Sequence, residues 1–150
     1  GDGNNMMNSL IVGGLKVGME VAVACPEGYD PHPDVLSFAK SDPSFRFTLC
    51  RDPRQAAVGA DVVFTDVWAS MGQEEERAVR AAAFAGYQVN DRLMTLTNPG
   101  CMVQHCLPAH REEEITAKVF EEHANEIFDE AENRLHAQKA VMVLLMGNKD

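Results

Sequence analysis

Residues 61–72 read DVVFTDVWASMG, a β-branched and apolar run closed by an acid and followed by a loop of small and apolar residues. So short a run between charges fits a buried strand, whereas a helix needs a longer periodic stretch. Two upstream runs share this character, residues 20–25 (EVAVAC) and residues 45–50 (FRFTLC). Between the runs lie stretches of helical spacing, over residues 4–17, over residues 34–40, and briefly after Pro53, where a proline suits the first helical turn. Strands alternating with helices predict an α/β fold, a Rossmann-like three-layer parallel sheet with helices on both faces.

Further along, the loop 67–72 sits at the carboxyl end of a predicted strand, where open α/β sheets bind their ligands. A helix is predicted over residues 74–84, with three glutamates in its first turn at the positive end of the dipole. A fourth strand, residues 102–105, follows the Asn98-Pro99-Gly100 turn and runs into His105-Cys106-Leu107-Pro108. The last helix is expected over residues 131–146, amphipathic at first and apolar on every face at its end. The chain opens on Gly1-Asp2-Gly3-Asn4-Asn5, a turn into a helix with no strand ahead of it, so the sheet is expected to lack its first strand. A wholly apolar helix end such as residues 140–146 normally packs into something else, so it is expected to be left without its partner domain.

The chain has 150 residues, 45% of them hydrophobic and 24% charged, enough for one domain with one sizeable core. Its formal charge of -10 repels phosphate backbones and anionic lipid surfaces, which argues against nucleic acid and membranes as partners. The apolar run 140–146 is far shorter than the roughly 20 residues that span a bilayer, and the start shows no signal pattern. Cys25, Cys50, Cys101 and Cys106 are too scattered for a disulfide scaffold or a zinc ribbon, which predicts reduced thiols in the cytoplasm. Residues 111–132 hold nine acids and two bases and read as a solvated helical face.

Several residues stand out chemically. The opening turn lacks the third glycine of G-x-G-x-x-G, because Met6 takes its place, and so does not read as a dinucleotide loop. Asn4 or Asn5 caps the following helix, whose amino terminus can receive a carboxylate. Asp66 and Ser70 set an anion and a hydroxyl around one loop, complementary to an ammonium and a carboxylate; a turn or cap role for Asp66 is the alternative. His105 beside Cys106 suits acid-base, nucleophilic or metal chemistry. Neighbours on a strand face opposite ways, however, so the two cannot pair unless the strand has ended, and no second ligand pair lies at metal-binding spacing. Arg134 falls in the first turn of the predicted last helix, against the dipole, which a ligand or a surface ion pair would explain.

Taken together, Asp2-Gly3-Asn4-Asn5, residues 66–74 (DVWASMGQE), residues 105–109 (HCLPA) and residues 131–134 (AENR) resemble the ornithine carbamoyltransferases in order and spacing. The resemblance covers essentially the whole chain. The Ser-Met-Gly loop with His-Cys-Leu-Pro is similar to the ornithine enzymes and not to their aspartate or N-acetylornithine relatives.

That resemblance implies the carboxyl-terminal, ornithine-binding domain over residues 1–150, with the carbamoyl phosphate-binding domain absent, since neither Ser-Thr-Arg-Thr nor His-Arg-Thr-Gln occurs in these residues. It implies transfer of a carbamoyl group from carbamoyl phosphate to L-ornithine, in arginine biosynthesis or the urea cycle, by a homotrimer that needs no cofactor and no metal. Asn5, Asp66 and Ser70 would hold the α-amino and α-carboxylate groups of ornithine, with the backbone of Met71. Cys106 and Leu107 would lie by the δ-amino and carbamoyl groups. Asp66 with Cys106 would orient the amine or take its proton. Arg134 would reach the carbamoyl oxygen, with His105 either polarising that oxygen beside it or serving structurally. The fragment alone is expected to be inactive and to self-associate through residues 140–146. A stand-alone amino-acid-binding or regulatory module, a Rossmann-type nucleotide-binding domain and a putrescine-type carbamoyltransferase are the alternatives.

Overall fold

The structure is a computed structural model that describes residues 1–70, 72 and 74–147. Its elements run α1 (Asn5–Lys16), β1 (Glu20–Ala24), α2 (Pro33–Ala39), β2 (Arg46–Cys50), α3 (Pro53–Ala57) and β3 (Val62–Thr65). A 3-10 turn (Glu74–Glu76), α4 (Arg77–Ala83), α5 (Asp91–Met94), β4 (Met102–His105), α6 (Ala117–Glu122) and α7 (Ala124–Met146) follow. The predicted strands and the first three helices match within about a residue. Their starts follow from local chemistry. Asn4 caps α1 by accepting from the Met6 and Met7 N–H groups, and Pro33 and Pro53 open α2 and α3 behind the caps His32 and Asp52.

The strands are parallel and come as two pairs. β1 lies against β2 with Glu20 opposite Arg46 through Ala24 opposite Cys50, and β3 lies against β4 with Val62 opposite Met102 through Thr65 opposite His105. Among the described residues no ladder joins the two pairs, so the expected single sheet is divided by a seam. Residues 1–4 cross the carboxyl-terminal end of that seam, with the Gly1 nitrogen donating to the Ala24 carbonyl and Asn4 reaching Asp66 beyond β3. Gly3 admits no side chain there, because a Cβ would fall 2.2 Å from the Asp30 carbonyl oxygen.

Each pair has its own core. Ile11 and Leu15 of α1, Val23 and Cys25, and Ala39 of α2 pack beside β1 and β2. Ala57 of α3, Leu93 of α5, Val103 of β4, Val119 and Phe120 of α6 and Ile127 of α7 form the other, with Val89 and Ile115. Helices therefore flank the strands on both sides, as the α/β reading expects.

The last helix differs from its expectation. It begins at Ala124, one residue after α6 ends its turn at His123, and not near residue 131. Arg134 thus lies in the third turn, and the conflict with the helix dipole inferred from a start at 131 disappears. The helix packs along β4 through its first two turns, then stands free: residues 132–146 are exposed, and Val141 to Met146 carry the large apolar side chains. Among the described residues no helix is long and apolar enough to cross a membrane.

Candidate active site

The register of β3 against β4 builds the site. Thr65 opposite His105 makes Asp66 and Cys106 the next rung, just past the carboxyl ends of both strands. There the Cys106 thiol donates to Asp66 Oδ1 at 3.3 Å, the Asn4 amide donates to Asp66 Oδ2 at 2.7 Å, and the Val67 N–H donates to Oδ1 at 2.8 Å. One carboxylate thus ties the opening turn, the loop after β3 and the loop after β4. Asn4 is both helix cap and Asp66 partner, while Asn5, the first residue of α1, is exposed beside it.

Burial first, then the Asp66 charge and hydrogen bond, push the Cys106 thiol up to about 12. That shift favours the protonated thiol at neutral pH. In this structure it is a donor, to Asp66 Oδ1.

His105 is fully buried, and both ring nitrogens are engaged. Nδ1 accepts from the Leu107 N–H at 3.0 Å, which places the ring proton on Nε2, 3.1 Å from Glu114 Oε1. Both ring nitrogens are thus engaged within the chain, the contacts that the structural alternative for His105 calls for. It holds Leu107, whose φ of 55° lies in the left-handed region and which the cis Leu107–Pro108 bond follows. Asp66, His105 and Cys106 each offer a ligand atom within 4.8 Å of the others, yet one partner is a protonated thiol and another a ring with both nitrogens occupied.

Two acids of α7 escaped the sequence reading, which placed both on a solvated face. The Val103 N–H donates to Glu126 Oε2 at 2.8 Å, and the His105 N–H lies against Glu130. Four residues of helix rise about 6 Å and two residues of strand about 6.6 Å, so Glu126 and Glu130 meet alternate N–H groups on the outer edge of β4. Burial raises the Glu130 carboxyl, the His105 N–H opposes this, and the Asp66 charge adds to it. Arg134 lies one turn further along the same face of the helix and is exposed.

The loop after β3 is pinned from α4 by Arg80, also missed. Its Nη1 donates to Asp2 Oδ2 at 2.9 Å and to the Trp68 carbonyl at 3.2 Å, its Nε donates to Glu76 Oε2 at 2.9 Å, and it lies over the Tyr29 ring. Burial opposes its charge, yet the hydrogen bonds to Glu76 and Asp2 prevail and raise its pKa. Trp68 in turn stacks on Phe84. Ser70 lies partly buried on this loop, and Met71 lies outside the described residues.

A polar cluster at the strand ends, held by an opening Asp-Gly-Asn turn and a Trp-containing loop, is the arrangement of a known class. Residues 1–145 match the family described as Aspartate/ornithine carbamoyltransferase, Asp/Orn binding domain, and the chain belongs to that family. Within it, several similar relatives are ornithine carbamoyltransferases. The ornithine carbamoyltransferase of Geobacter metallireducens is 53% identical over 146 residues, covering 97% of this chain and 48% of the relative. That of Syntrophotalea carbinolica is 56% identical over 147 residues, covering 98% and 48%. Among solved structures, the anabolic ornithine carbamoyltransferase from Campylobacter jejuni superposes with a TM-score of 0.91 at 36% identity over 97% of this chain and 49% of its own. The Pyrococcus furiosus enzyme gives 0.89 at 47% identity over 99% and 49%. The chain spans about half the length of the curated relatives it matches.

Proposed function

We propose that these residues form the ornithine-binding half of an ornithine carbamoyltransferase, which moves the carbamoyl group of carbamoyl phosphate onto the δ-nitrogen of L-ornithine to give citrulline and phosphate. The observation that carries this reading is the Asp66 carboxylate, tied to Asn4 and Cys106 where three loops meet at the strand ends. The named ornithine enzymes among the relatives support it.

In this reading Asn5, Asp66, Ser70 and Met71 hold the amino-acid head group of ornithine. The δ-ammonium, with a pKa of roughly 10 by analogy with lysine, first loses a proton, which the Asp66 carboxylate accepts. The neutral nitrogen then attacks the carbonyl carbon, the bond from that carbon to the phosphate oxygen breaks, and phosphate leaves with the electron pair and takes up the second proton that the nitrogen sheds. Cys106 and Leu107 orient the amine. Negative charge grows on the carbamoyl oxygen, and Arg134, brought in by α7, is the donor that stabilises it. Carbamoyl phosphate itself is held by a second half of the enzyme, and closure of the two halves supplies proximity and excludes water. The reading further includes a homotrimer, action without a cofactor, and a cytoplasmic setting, which the four free cysteines suit.

The test joins residues 1–150 to the amino-terminal half of the Geobacter metallireducens relative and measures citrulline. The isolated chain should form none and bind ornithine weakly by calorimetry. The joined protein should form it, and Asp66→Asn should cut the rate roughly a hundredfold or more. Citrulline from the isolated chain, or a folded joined protein that prefers putrescine or ignores ornithine, would overturn the proposal.

A further inference from the structure

Behind the His-Cys-Leu-Pro loop, three groups that carry lone pairs face one another. The Glu114 side chain is fully buried; Oε1 accepts from His105 and from the His110 N–H, while Oε2 has no hydrogen-bond partner among the described residues. His110 Nδ1 is enclosed and equally unpartnered, although its ring is half exposed. Glu113 turns Oε1 to Arg77 of α4 and leaves Oε2 at 3.8 Å from His110 Nδ1, too long for a hydrogen bond. One ligand atom from each of His110, Glu113 and Glu114 lies within 4.8 Å of the other two. The fully buried Glu114 Oε2 is costly without a donor or a cation beside it, and His110 Nδ1 carries a lone pair in one tautomer that suits a cation.

We propose that His110, Glu113 and Glu114 bind a divalent transition-metal ion of the Zn2+ class. One imidazole nitrogen and two carboxylate oxygens are a donor set for that ion, at about 2.0–2.2 Å, with water in the remaining position. Glu114 contributes Oε2, so Oε1 keeps His105 in place. Glu113 and His110 are exposed enough to draw in by the roughly 1 Å that such ligand distances require. Arg77 offsets one of the two carboxylates, so the pocket retains net negative charge for the ion. The sequence reading expected no metal, because it sought paired cysteines and histidines; here the pattern is His-x-x-Glu-Glu in one tight loop.

Calorimetric titration with Zn2+, and the visible spectrum with Co2+, test this on the chain and on its Cys106→Ser, His110→Ala and Glu113→Gln variants, each checked for fold by circular dichroism. One ion per chain is expected, with affinity unchanged in Cys106→Ser and at least tenfold weaker in the other two. The Co2+ spectrum should lack a thiolate charge-transfer band. Absence of binding at millimolar ion, binding lost in Cys106→Ser, or binding untouched in His110→Ala would each overturn the proposal.

Discussion

Replacing Arg80 by methionine keeps most of the side-chain volume and removes the charge that ties the opening turn to the loop after β3. Arg80 is 8% exposed, and its partner Asp2 has a side chain 14% exposed, so the pair counts as buried. Taking one partner from a buried pair costs about 3–5 kcal/mol, because the other charge is stranded. Asp2 lies close enough to solvent to regain some water, which favours the lower end, about 3 kcal/mol. Glu76, at 62% exposure, adds at most about 1 kcal/mol. For a domain of this length a 3 kcal/mol loss lowers Tm by about 6–12 °C. Scanning calorimetry and urea unfolding on Arg80→Met, Asp2→Asn and the double variant measure this. The double variant should lose less than the sum of the singles, and Glu76→Gln should be nearly silent. If Arg80→Met loses no more than Glu76→Gln, the guanidinium does not hold these loops and the reasoning fails.

Asp66→Asn removes a charge that raises the Cys106 pKa, so the thiol should titrate lower and iodoacetamide labelling of Cys106 near pH 9, mapped by mass spectrometry, should speed up severalfold. In the parent, labelling of Cys106 should keep rising with pH towards about 12, and a plateau near 9 would contradict the assignment. Glu114→Ala leaves the buried His105 Nε2–H without an acceptor and should cost about 1–3 kcal/mol in urea unfolding, whereas Glu114→Gln keeps an acceptor and should lose less; equal losses would refute the contact. The exposed apolar end of α7 should drive concentration-dependent association seen by light scattering, which Leu144→Lys with Leu145→Glu should suppress; a strict monomer at high concentration would count against it.

The strands were legible because runs such as Val62 to Thr65 are apolar, short and bounded by Asp61 and Asp66. Asp66 and Cys106 could be singled out in the sequence, but their meeting depends on Thr65 pairing with His105, a register that no local pattern encodes. Acidity misled the reading of residues 111–132. Glu112, Glu113 and Glu114 are chemically identical, and only the third is fully buried, because the chain returns to pair with Val89 and packs Ile115 into the core. The start of α7 was placed too late for a related reason: Glu126 and Glu130 read as solvent-facing polar residues, while in the fold they serve the edge of β4. Arg80 gave only the local i,i+4 pairing with Glu76, since its other partners, Asp2 and Trp68, come from distant segments.

The matched spacing of α7 and β4 constrains which insertions this domain can accept. One extra residue between Glu130 and Arg134 would leave the helix and the strand edge intact and rotate everything downstream by about 100°. Arg134 would leave the face that it shares with Glu126 and Glu130. Seven extra residues would restore its direction to within about 20° but carry it about 10 Å further along the helix. The length of the interval from Glu126 to Arg134, more than the identity of its outer residues, therefore sets the direction in which Arg134 leaves the helix.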